Sequence, residues 1–195
     1  MGDAIQMLID EHRLIESVLA ALDSFAEKLG QEPEGDRATV LEFADFFHQF
    51  VDTCHHGKEE DHLFVCMNTY GFSKSAGPVS AMLSEQGEGR EHLAALTSIG
   101  RGFGPLNARE QALVKGHALG YILRIQSHMK REDDILFPVA RHALPAFVLE
   151  NLCAEFKDFN TRVLTTPVHE HLIQTALKLS AKYPRKPPNS GAANA

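Results

Sequence analysis

The chain has 195 residues, 44% hydrophobic and 23% charged, enough for one domain with a real core and barely for two. Its net charge of −7 excludes a nucleic-acid binder, which needs a Lys/Arg excess on one face, and no apolar run approaches the ~18 residues of a membrane span. Three cysteines (Cys54, Cys66, Cys153) without CxxC spacing argue against a disulfide framework and for a reducing cytoplasm, while eleven histidines point toward metal.

The N-terminal "MGDAIQMLIDEH" is acidic and amphipathic, unlike a secretory signal or transit peptide, and "MGDAIQ" lacks the Ser/Thr that favours myristoylation. Ile5, Leu8, Ile9, His12, Ile15, Leu19, Leu22 and Phe25 recur at helical steps and predict a first helix over Asp3 to Leu29, with Asp3 and Gln6 as a capping pair. A second helix is predicted from about Arg37 to Phe64 and a third from Pro78 to the break at "GRGFGPLN". Asn107 with Glu110 caps a fourth, reaching roughly Leu136 before Pro138 and Pro145 punctuate the chain. Two more helices are expected, from about Ala146 to Val163 and from Thr166 to Lys182, followed by a disordered tail over 184–195. No segment alternates with period two. The chain reads as all-α: an antiparallel up-down four-helix bundle over residues 1–138, with additional C-terminal helices over 139–183 packed on it.

Two stretches match without gaps: "HHGKEEDHLF" (His55 to Phe64) and "HMKREDDILF" (His128 to Phe137). They share His, Glu, Asp, Leu and Phe in register, with a basic residue before each shared Glu. A His and a Glu four apart lie on one helix face and can reach a common metal ion or a close pair of ions. The bland alternative is chance. Eleven His and sixteen Glu give roughly one HxxxE at random, and four occur: His12–Glu16, His55–Glu59, His56–Glu60 and His128–Glu132. The shared register singles out His55–Glu59 and His128–Glu132. Helical steps place His48, Val51, His55, Glu59 and His62 on one inward stripe, with His56 and Glu60 one position round. His12 lies on the apolar stripe of the first helix. Tyr121, two turns before His128, is either a phenol beside the metal or a core tyrosine.

The series "DEHR", "CHHGKEEDHLF", a "GR" after an acidic stretch in the third helix, and "HMKREDDILFP" resembles the hemerythrin-like, HHE cation-binding domain in its bacterial form, over residues 3 to 138. The resemblance implies a four-helix bundle around a non-haem di-iron centre, oxo- or carboxylate-bridged, with a position for O2, peroxide or nitric oxide. Zn or Mn can occupy such a nitrogen and oxygen set in place of the two Fe ions. Carried over by position, the ligands are His12, His55, Glu59, His128 and Glu132. Glu59 and Glu132 are the bridges, with Asp133 in reserve. The third helix departs from the family: it reads "EQGEGR" where "EHExGR" is usual, so Gln86 stands at a histidine position. An amide holds metal more weakly than imidazole, which disfavours O2 storage and leaves redox chemistry and sensing open. Glu85, Glu88 or His92 could compensate.

Asp52, Glu85, Arg90 and Tyr121 are expected around the ligands, the carboxylates orienting imidazoles and Arg90 neutralising charge. His142, His169 and His171 read as surface residues. Cys54 lacks a base at helical spacing other than Lys58, against a nucleophilic role. No GxSxG, P-loop or dinucleotide fingerprint occurs. Four functions compete: a di-iron protein acting on small molecules, an iron or cation sensor acting through a partner, an iron-centre repair module, and a metal-free helical adaptor.

Overall fold

A computed structural model describes residues 3–31 and 33–184; the expected tail lies, from residue 185 on, outside the described residues. Six helices follow one another, with no strand among the described residues. Helix α1 is Ala4–Lys28, capped by Asp3, whose carboxylate accepts from the Ile5 and Gln6 amides. The reciprocal half of that cap is not made, because the Gln6 amide donates to Asp10 instead. Helix α2 spans 33–69, starting earlier and ending later than expected. Helix α3 is Gly77–Gly100. Helix α4 spans 108–143 and opens on the Asn107–Glu110 capping box. Helices α5 (Ala146–Val163) and α6 (Thr166–Lys182) follow. No helix among the described residues is long and apolar enough to cross a membrane.

Helix α3 packs on both α2 and α4, α4 packs on α1, and α5 and α6 lie against α1. The apolar interior is split in two. One cluster holds Ile15 to Leu29, Val40 to Cys54, Leu93, Leu96 and Val114 to Met129. The other holds Ala4 to Leu8, Leu63 to Met67, Val79, Met82 and Leu136 to Ala140. On each bundle helix the gap between the clusters falls at His12, at His55 to Glu59, at Gln86 and at Glu132. A polar layer is thus clamped between two hydrocarbon layers.

Helices α2 and α4 are not plain α-helices. Phe47–His56 and Glu59–Leu63 in α2, and Glu132–Leu136 in α4, are π-helical, with i→i+5 bonding. The repeat is reproduced down to the backbone: the Phe64 amide donates to Glu59 O, and the Phe137 amide to Glu132 O. Period counting assumes α-geometry and misses this. It also explains why Pro138 does not break α4. The wide turn ends at Leu136, so Pro138 falls in the first turn of the resumed α-segment, where a missing N–H is tolerated. At Gly57 a Cβ would come within 2.7 Å of the Phe159 ring, so only glycine lets α5 close on α2 here.

Candidate metal centre

Four helices aim polar side chains into the middle layer. His12 comes from α1; His55, His56 and Glu59 from α2; Gln86 from α3; His128 and Glu132 from α4. None is more than 3% exposed. His12, His55, Glu59 and Glu132 each place one donor atom within 4.8 Å of the others, and so do His56, Glu59 and His128. The two groups share Glu59.

Three histidine–carboxylate contacts inside the layer do not close as hydrogen bonds. His55 Nε2 is 3.4 Å from Glu59 Oε1, His128 Nε2 is 3.3 Å from Glu132 Oε1, and His12 Nε2 is 3.4 Å from Glu132 Oε2. These exceed ordinary hydrogen-bond lengths. They match the separation of two ligands on one ion, roughly 3–3.5 Å for bonds of ~2.1 Å. Glu59 Oε1, both Glu132 oxygens, His128 Nε2 and Gln86 Oε1 are buried without a hydrogen-bond partner. Folded proteins rarely leave such atoms orphaned, and so many in one place fits a cation that they would coordinate.

The outer contacts set the ring orientations. His12 Nδ1 faces Asp133 Oδ1 at 3.0 Å, His55 Nδ1 faces Glu11 Oε2 at 2.8 Å, and His128 Nδ1 faces Glu85 Oε2 at 3.2 Å. Each carboxylate assigns the ring proton to Nδ1 and turns the Nε2 lone pair inward. The His12 and His55 Nε2 atoms then meet at 3.0 Å, where two lone pairs need a cation or a proton between them.

The metal-free electrostatics agree. Burial pulls His12 down, but Asp133 and Glu132 outweigh it and lift its pKa to about 9. Burial, then the neighbouring Glu132 charge, pushes Glu59 well above the usual carboxylate range. Burial acts the same way on Glu132, but His128 and His12 overcome it and hold this carboxyl low. Burial and the surrounding cations drive His55 well below the usual imidazole value. His55 is thus held in the neutral form that binds metal, while Glu59 favours a proton that a bound cation would replace.

The expected residues fare unequally. His12, His55, Glu59, His128 and Glu132 converge, and Gln86 joins them at the edge, donating from Nε2 to Glu59 Oε2 at 2.8 Å. Asp133 bonds the outer side of His12 and does not face the inside. Glu85 orients His128, as expected of a neighbouring carboxylate. Asp52 stands beside His56, not His55, and accepts from Arg90 Nε at 2.6 Å; Arg90 also pairs with Glu60. Tyr121 packs on Phe47 at 4.8 Å between ring centroids, within the larger apolar cluster. Glu88 pairs with Arg124 and His92 with His117, so neither enters the layer.

The inward stripe of α2 needs correction. His48 is 62% exposed and His62 bonds Glu155, whereas His56, expected one position round, is buried in the second group. A π-turn advances less per residue than an α-turn, so neighbours such as His55 and His56 share the inner face. Sequence reading also missed Glu11 and the fully buried Lys58 that holds it. A signal existed, because the repeat places a basic residue before each shared Glu. Cys54 is buried, with its Sγ bonded to Asn160, and burial raises its thiol to about 11, which suits the expected lack of nucleophilic function.

Comparison of the chain with curated proteins and with solved structures returns no match. The family model described as hemerythrin HHE cation binding domain matches residues 3–143, which carry the whole polar layer. A buried His/Glu cluster within a cation-binding domain makes this a metal-binding protein. The chain belongs to the hemerythrin HHE cation-binding domain family.

Proposed function

We propose that the chain holds two non-haem iron ions in its middle layer and binds or reacts with a small molecule such as O2, peroxide or nitric oxide. His12 and His55 would hold one ion and His56 and His128 the other, with Glu59 and Glu132 spanning the pair. The observation that carries this reading is Glu132, whose two oxygens approach different histidines, Oε1 toward His128 and Oε2 toward His12. A nitrogen and carboxylate set without thiolate suits iron or manganese over a structural zinc site. Bound there, iron supplies redox capacity and an attachment point for the small ligand. The chain's own part is to fix the rings through Asp133, Glu11 and Glu85, and to exclude water by the two apolar clusters. We read 3–143 as the metal-holding unit and α5 and α6 as an accessory layer. The three free cysteines support a reducing, cytoplasmic setting.

Metal quantification on anaerobically purified protein, followed by O2, peroxide and nitric oxide titration watched by absorption, tests this. The expected content is about two iron ions per chain, with absorption changes on adding one of the ligands. A metal content near zero would sink the reading. A second reading, an iron sensor or iron-centre repair module acting through a partner, is favoured by one contact. Gln86 gives Glu59 a hydrogen bond where an imidazole would bind metal, which suits a labile centre. Stoichiometric iron lost readily to a chelator, without response to any of the three ligands, would choose it.

A further inference from the structure

Each of the four clustered histidines has a carboxylate on its outer side, and three of these contacts are closed, at 3.0 Å for His12, 2.8 Å for His55 and 3.2 Å for His128. The fourth is open. His56 Nδ1 is 3.8 Å from Asp52 Oδ1, beyond hydrogen-bond reach, and is buried without a partner. Asp52 is drawn away: Oδ1 accepts from Arg90 at 2.6 Å and Oδ2 lies 3.6 Å from His48. Arg90 also reaches Glu60, which fixes its guanidinium across α2 and α3.

Directly outside this open contact lies a cleft of about 580 Å³ between α2 and α3, walled by His48, Asp52, Arg90, Ala94, Thr97 and Arg101. The candidate ligands are at most 3% exposed, so nothing reaches them unless a side chain moves. Movement is cheapest where the tether is unmade and empty space adjoins it. The unmade tether is at His56, and the Asp52 that faces it walls the cleft. Elsewhere the outer carboxylates are bonded to their rings, and Lys58 and Arg131 hold two of them in place.

We propose that small solutes, a hydrated divalent cation among them, reach the centre through the α2/α3 cleft, with His56 as the ligand that swings and Arg90 as the latch that keeps Asp52 off it. This rests on the metal-centre reading above and adds the route and its control. Without the Arg90 bond, Asp52 would close on His56 as the other three carboxylates close on their rings.

The test is the rate of Co²⁺ uptake by the metal-free full chain, followed by visible absorption. Ala94→Phe fills the cleft from an exposed position, and Ser98→Phe does so independently. Ala20→Phe, in the separate groove between α1 and α4, is the control. The two cleft variants are expected to load severalfold more slowly to the same final Co²⁺ content, with Ala20→Phe unchanged. Arg90→Leu is expected to load more slowly too, because Asp52 is released to His56. Parent-like rates in both cleft variants overturn the route, and faster loading by Arg90→Leu overturns the latch. A parent chain that takes up no Co²⁺ overturns the metal centre itself, and the route with it.

Discussion

Lys58 and Arg131 stand at the same step of the two repeats, and each grips the carboxylate that orients the histidine three residues before it. Lys58 pairs with Glu11, which bonds His55; Arg131 pairs with Glu85 at 2.5 Å, which bonds His128. The two triads differ in burial, at 0% exposure for the Lys58 side chain and 41% for Arg131. The Lys58 ammonium is shut away from water, so Glu11 has no solvent screening across that pair, whereas the half-exposed Arg131 guanidinium leaves its pair with Glu85 screened. Lys58→Met should destabilise the metal-free chain by about 3 kcal/mol or more, the usual result of breaking a buried pair. Arg131→Met should stay within about 1 kcal/mol. Urea unfolding compares them, and equal losses would show that the triads are not distinguished by burial.

Metal-free stability should fall as pH rises from near neutral. His12 has a raised folded pKa, so its contribution is complete below the ordinary value of 6.5 and is lost as pH climbs through about 9. Glu59 is raised above its ordinary 4.5, so its ionisation costs stability increasingly as pH rises above that value. The two act in the same direction. Melting temperatures recorded with a chelator should drop between pH 6.5 and 9, while saturating metal, which takes the place of these protons, should abolish the drop. A flat metal-free profile would contradict the assignment.

Glu59→Gln should separate stability from function. The amide keeps the shape and removes a buried carboxyl that resists ionisation, so the metal-free chain should melt higher at pH 8 by the equivalent of about 1 kcal/mol. Metal binding should be lost, since Glu59 belongs to both donor groups. Calorimetry and metal analysis on one preparation measure both; a variant that keeps full metal content removes Glu59 from the ligand set.

His56→Ala should lower bound metal from about two ions to about one, while His48→Ala and His62→Ala leave it unchanged. Metal-to-protein ratios after gel filtration decide this. Equal metal content in all three would return His56 to a packing role.

Gln86→His should tighten the centre. It places an imidazole at a buried position facing Glu59, in place of an amide whose oxygen is the weaker ligand. Extraction by a chelator should slow by roughly tenfold or more, in line with the effect of a strengthened ligand set on metal affinity. Unchanged extraction would place Gln86 outside the centre.

The sequence by itself determined the all-helical bundle, the family, and five converging residues: His12, His55, Glu59, His128 and Glu132. Apolar spacing fixes which face of each helix turns inward, and a His and Glu four apart stay on that face. What only the tertiary structure decided began with the π-turns. They carry His55, His56, Glu59 and Glu132, and no residue pattern counted at helical steps registers them. They brought His56 inward and left His48 outside. Tertiary structure also chose among the acids. Glu11, Asp133 and Glu85 look alike on paper, and so do Glu88 and Asp52. Which of them meets an imidazole depends on the rotation of a neighbouring helix, contributed by residues far away in the chain.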